Sequence, residues 1–207
     1  MRLPVFLFVL FVCFSGLQAQ DKVLDSLIQK LSETSGDLET AKLYNAISNQ
    51  YKYSDPSKML EFGNKAFKLA EAKQLKSEMG TAYLNIGTAH IILGAYQKAM
   101  DNFVWAKSIF EELPKTPQTE ANIEQGIART LGYMGIVFSE QSNYAKALQY
   151  YLEAAKIYEK LKDTGQASKI YNNIGVVYKA QDETEKALRY YLKALEIQLA
   201  REDPNKG

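Results

Sequence analysis

YNNIGVVYKAQDETEKALRYYLKAL, residues 171–195, opens with a segment that admits several readings. Ile174 to Tyr178 reads as a buried strand, Gly175 as the edge of a phosphate loop, and the tyrosines as flanks of a ligand. The spacing decides. Tyr171, Ile174, Gly175 and Tyr178 stand at i, i+3, i+4 and i+7, the period of one helix face, where a strand would alternate by two. Ala187, Tyr191 and Ala194 resume the period after AQDETE, so the stretch is a helix, a short polar turn and a second helix.

Laid over the rest of the chain, the stretch recurs. YLNIGTAHIILGAYQKAMDNFVWAK begins at Tyr83 and LGYMGIVFSEQSNYAKALQYYLEAA at Leu131. The glycines Gly87, Gly135 and Gly175 share a column; so do Ala99, Ala147 and Ala187; so do Phe103, Tyr151 and Tyr191; so do Ala106, Ala154 and Ala194. A weaker copy begins at Leu43, with Ile47, Met59, Gly63 and Ala66 in those columns, and successive offsets are 40, 48 and 40 residues. The helix-to-helix turns fall at 93–97, 142–146 and 181–185, and Asp55-Pro56 supplies a helix cap and a first-turn proline in the first copy. A side chain larger than Ala at Gly135 or Gly175 is expected to overpack the helix pair, at a cost of about 1–3 kcal/mol.

The order of a bulky residue before Gly, an aromatic three later, then Ala, aromatic and Ala in the second helix resembles the tetratricopeptide repeat. The resemblance covers nearly all of residues 40–201. It departs in the first copy, which lacks the glycine and aromatic columns, and at His90, which replaces an aromatic. It implies an all-α fold, a right-handed α-solenoid of antiparallel helix pairs. The array spans 37–203, in four repeats at about 40–73, 80–113, 128–161 and 168–201, with 204–207 as a tail. The long periods resemble bacterial versions with a lengthened second helix and helix-to-helix connection. The extra eight residues before the third copy are expected as a loop at LPKTPQTEA, 113–121, around Pro114 and Pro117.

The two ends differ. Residues 1–19 have one charge, Arg2, an apolar run from Leu3 to Phe14, then small and polar residues to Ala19, the layout of a secretory signal peptide. A retained anchor is the alternative, although the run is shorter than the roughly 18–20 residues that span a bilayer. Phe11 and Val12 before Cys13 do not suit lipid attachment. Export would put the chain in the periplasm or outside the cell, and would remove its only cysteine. Residues 20–36 carry Val23, Leu24, Leu27, Ile28 and Leu31 at helical spacing, an N-terminal capping helix. The last repeat keeps Tyr190, Leu192, Leu195, Ile197 and Leu199, some of which should face a missing neighbour. Either a homodimer or a C-terminal continuation of the chain would cover them.

Losing residues 1–19 removes one of 25 basic residues and none of the 24 acidic ones, which leaves a neutral chain. Neutrality gives no reason to expect nucleic acid or a membrane surface as partner of the mature array. No active site is found. His90 is the single histidine and occupies a packing column, no phosphate-loop motif occurs, and Glu111-Glu112 and Glu183/Glu185 read as solvated faces. No cofactor or metal is implied.

What the resemblance implies instead is a concave groove along the first helices of the pairs, where proteins or peptides bind. Carried over by offset from the glycine column, the groove positions are Tyr44, Asn45 and Ser48; Leu84, Asn85 and Thr88; Arg129, Tyr133, Ile136 and Glu140; and Lys169, Asn172, Asn173, Val176 and Lys179. Asn45, Asn85 and Asn173 recur two residues before that column; their amides suit an extended peptide backbone, or belong to the repeat itself. The family's carboxylate clamp is not reproduced, because Leu84 and Thr88 stand where charge and amide are needed. The expectation is a non-catalytic protein-binding scaffold; the alternative is the extracytoplasmic sensor region of a longer membrane-bound signalling protein of histidine kinase or transcriptional regulator type.

Overall fold

The computed structural model describes residues 22–202, so the expected signal peptide and the 204–207 tail lie outside it. Helix α1 covers residues 22–33 and α2 Asp37–Gln50, the latter extended by a 3-10 turn at Tyr51–Tyr53. There follow α3 (Pro56–Ala72), α4 (Lys76–Ile92), α5 (Tyr96–Glu112), α6 (Glu120–Glu140), α7 (Tyr144–Lys160), α8 (Thr164–Ala180) and α9 (Thr184–Glu202). The described residues contain no strand. From α2 to α9 each helix packs on its neighbours in sequence, and α2, α4, α6 and α8 also touch in series. This is the nearest-neighbour architecture of a solenoid, with the odd-numbered helices forming the other layer.

The 40-residue period comes from helix length and not from longer connections. Helices α4, α5, α7 and α8 are each 17 residues long, and three-residue turns join the pairs at 93–95, 141–143 and 181–183. The connection expected to be lengthened is therefore short, because each turn closes in one motif. A residue of positive φ follows the helix end at Gln74, Gly94, Ser142, Lys162 and Asp182. The next amide then bonds back five residues, as Ala95 N to the His90 carbonyl (2.8 Å), Asn143 N to Phe138 (2.8 Å) and Glu183 N to Tyr178 (2.9 Å). Asp55 caps α3 as expected, accepting from Lys58 N at 3.0 Å, with Pro56 in the first turn. The eight extra residues before the third pair are shared: the loop at 113–119 takes some, and α6 lengthens to 21 residues with the rest.

Small residues face large ones in the core. Ala99, Ala106, Ala147 and Ala154 are fully buried beside Phe103, Phe110, Tyr151 and Tyr158. The glycine column works more tightly than backbone approach alone suggests. A Cβ at Gly87 would lie 2.6 Å from the Phe103 ring, at Gly135 2.6 Å from Tyr151, and at Gly175 2.6 Å from Tyr191. The aromatic of the second helix lies against the glycine of the first, so even Ala conflicts with it.

At the ends, Leu24, Leu27 and Leu31 of α1 are half-buried while Val23 and Ile28 are exposed. On α9, Tyr190 and Ile197 are partly buried, whereas Leu188, Leu192, Leu195 and Leu199 form an exposed apolar stripe at four- and three-residue steps.

Candidate functional site

The layer of α2, α4, α6 and α8 curls enough to bring the first pair against the third. Lys52, in the 3-10 turn after α2, donates from Nζ to the Tyr133 hydroxyl of α6 at 3.0 Å and lies 5.2 Å from the centre of that ring. Between them opens a hollow of about 460 Å³, lined by Asn49, Lys52 and Tyr53 from the first pair, Gln125, Arg129, Gly132, Tyr133 and Ile136 from α6, Tyr158 from α7, and Gln166, Lys169, Ile170 and Asn173 from α8.

Its charged lining is cationic: Lys52, Arg129 and Lys169, with no carboxylate among the lining residues. The nearby Asp163 is already engaged, accepting from Gln166 N (3.1 Å) as the cap of α8 and from Gln125 Nε2 (3.3 Å). Burial opposes ionisation of the Tyr133 phenol, but the charge and hydrogen bond of Lys52 and the charge of Arg129 outweigh it, holding its pKa below the ordinary tyrosine value. Burial likewise disfavours the Lys52 ammonium, and the oxygens of Tyr133 and then Tyr53 together more than compensate, raising its pKa.

The fifteen positions carried over from the repeat column separate into three groups. Arg129, Tyr133, Ile136, Lys169 and Asn173 line the hollow. Glu140, Asn172, Val176 and Lys179 are exposed outside it, and Tyr44 is half-buried, its ring 6.2 Å from that of Phe62. Asn45, Ser48, Leu84, Asn85 and Thr88 are buried, which corrects their reading as ligand-facing. Each polar member of that group is committed to the fold. Asn85 Nδ2 donates to the Asn45 carbonyl (3.0 Å) and Oδ1 (3.2 Å), and Asn45 Nδ2 donates to the Glu78 carbonyl (3.0 Å). Ser48 Oγ donates to the Met59 carbonyl at 2.7 Å, and Thr88 Oγ1 to the Leu84 carbonyl at 2.8 Å. The asparagine column here is a ladder tying one first helix to the next. His90, in its packing column, is half-buried; burial and then the Lys98 charge lower its pKa.

Asn49, Lys52, Tyr53, Gln125 and Gln166 were not legible as lining residues. Gln166, in the first turn of α8, and Gln125, in the second turn of α6, precede the repeat columns that start at 168 and 128, although Asp163 as a cap marks the true start of α8. Lys52 and Tyr53 sit in a connection whose position across the groove depends on the curl of the whole array.

Comparison with known proteins bears on these pairs. A family model described as Tetratricopeptide repeat matches residues 126–200. The match falls on the third and fourth helix pairs. Response regulator aspartate phosphatase I of Bacillus subtilis (strain 168) is 29% identical over 135 residues, 64% of this chain. The aligned part is 32% of that protein's length, so this chain spans about a third of the curated relative. Among solved structures, a Rap protein complexed with Competence and Sporulation Factor superposes with a TM-score of 0.79 at 16% identity, over 91% of this chain and 52% of that one. BtubC from P. vanneervenii superposes with a TM-score of 0.68 at 18% identity, over 91% and 76% of the two chains. Those identities make the likeness one of fold: a tetratricopeptide-type solenoid.

Proposed function

We propose that this chain is a non-catalytic scaffold that binds a protein or peptide in the hollow between α2, α6 and α8. The observation that carries the reading is the Lys52–Arg129–Lys169 hollow, where three first helices or their extensions turn polar side chains to a concave space while the repeat-signature residues are buried. A packed solenoid holds such side chains at set distances, so a ligand crossing the layer meets several at once without the protein reorganising. The Rap protein of the same fold, in complex with Competence and Sporulation Factor, supports a groove that receives a ligand. The test is a photo-crosslinking amino acid placed at Asn173, in the hollow, or at Trp105, exposed on α5. In the native source, crosslinks to a partner are expected from Asn173; crosslinks confined to Trp105 would overturn the assignment.

Export to the periplasm or the medium is part of the same proposal and rests on residues 1–19. Mass spectrometry of the mature N-terminus is expected to find cleavage near Ala19; an intact Met1 would refute it. The exposed Leu188, Leu192, Leu195 and Leu199 favour a second reading, in which a further segment or a second copy covers α9 and the array serves as the sensor region of a membrane-bound signalling protein. An apolar run of about 20 residues encoded shortly after Gly207 would support it.

A further inference from the structure

The lysine ion pairs of the described residues lie outside the hollow, and the other lysines outside it that lack such a pair are exposed. Eight lysines lie within 4.0 Å of a carboxylate among the described residues, from Lys42 beside Glu39 to Lys193 beside Glu159. None of these is Lys52, Arg129 or Lys169. A chain whose charges nearly balance, 25 basic against 24 acidic, places on one concave surface three cations with no carboxylate within 4.0 Å among the described residues. Two of them, Lys52 and Arg129, are half-buried, where an uncompensated charge is costly and a counter-ion is worth most. Lys52 is also held in place, by its 3.0 Å hydrogen bond to Tyr133 and its position over the ring. The amides of Asn49, Gln166 and Asn173 stand around the same space with donors and acceptors for a backbone.

Building on the groove reading above, we infer that the hollow selects an acidic segment of a protein or peptide, whose carboxylates pair with Lys52, Arg129 and Lys169. To groove positions that the repeat resemblance implies, Arg129, Tyr133, Lys169 and Asn173, the tertiary structure adds Lys52 from the connection after α2. Nucleic acid suits the site less well: three cations on a neutral protein provide little release of condensed counter-ions along a phosphate backbone. The hollow has the size of pockets that enclose a few side chains, not of a long basic channel.

Fluorescence anisotropy on the full-length mature chain tests this, with labelled hexaglutamate, hexaglutamine and hexalysine peptides and a dT12 oligonucleotide. Hexaglutamate is expected to bind in preference to the other three and to weaken as NaCl rises from 50 to 300 mM. Arg129→Ala and Lys169→Ala should each weaken it by about tenfold or more, the loss expected for a charged hydrogen bond. Lys98→Ala, exposed on α5, should leave it unchanged, and circular dichroism checks that each variant stays folded. Equal binding of hexaglutamine, lost in Asn173→Ala, would keep the groove and overturn the acidic ligand. Hexaglutamate binding insensitive to Arg129→Ala and Lys169→Ala, no hexaglutamate binding at millimolar concentration, or tighter binding of dT12 would overturn the proposal; loss of the Asn173 crosslink as well would overturn the groove.

Discussion

Two glycines three residues apart on α6 provide a sharp test of how the repeats pack. At Gly135 a Cβ would lie 2.6 Å from both Cδ1 and Cε1 of Tyr151, a ring that is 2% exposed and walled in on α7. At Gly132 the nearest atom is Ile170 Cδ1 at 3.1 Å, the tip of a side chain that can rotate away. Both changes to Ala bring the same gain in helix propensity, about 0.8–1 kcal/mol. At Gly135 the ring must retreat by about 1 Å to reach ordinary contact, and overpacking of that kind costs about 1–3 kcal/mol. Gly132→Ala is therefore expected to be neutral or stabilising by up to about 1 kcal/mol, and Gly135→Ala to be less stable than it by about 1–3 kcal/mol. Urea unfolding followed at 222 nm reads the difference, with unchanged slopes required before midpoints are compared. In a double-mutant cycle Tyr151→Leu should relieve part of the Gly135→Ala penalty, since the two act on one contact. If Gly135→Ala proved as stable as Gly132→Ala, the ring-on-glycine contact would not be what keeps the column small.

Other substitutions separate fold from site. Asn85→Ala deletes the donor to the Asn45 carbonyl and should cost about 1–3 kcal/mol in urea unfolding, while exposed Asn172→Ala should stay within about 0.5 kcal/mol. Lys162→Gly, at φ +55°, should stabilise by about 0.5–1 kcal/mol, and Gly94→Ala, at φ +72°, should destabilise by a similar amount; the reverse order would contradict the turn geometry. His90 has its pKa lowered below 6.5, so the unfolded chain takes up a proton more readily than the folded one. Stability should fall as pH drops below 6.5 and level off below the depressed folded value; His90→Phe should flatten that part of the urea midpoint profile, and an unchanged profile would refute the assignment.

Much of this protein follows from the chain read alone. The helix-turn-helix unit, its fourfold recurrence, the placement of the turns and the Asp55-Pro56 start were legible because they depend on residues at most a few turns apart. Small and aromatic residues at three-, four- and seven-residue steps admit only one periodicity. Within YNNIGVVY the burial of Tyr171, Ile174 and Val177 follows from that period, with exposures of 3%, 0% and 1%.

The site was legible only in part, and the failures have a physical cause. Columns counted from a glycine state which side of a helix a residue lies on, and not whether the neighbouring helix covers that side. Asn45 and Asn85 stand in the same column as Asn173, yet the first two are sealed into a ladder between α2 and α4 while Asn173 lines the hollow. On α6, which precedes Asn173 in the layer, the same column holds Tyr133 in place of an asparagine, and its hydroxyl accepts from Lys52. Lys52 reaches Tyr133 across 81 residues of sequence, a meeting that depends on the accumulated rotation of three helix pairs. Local pattern determines the repeat; the sum of small rotations between repeats decides which polar groups converge, and only the tertiary structure carries that sum.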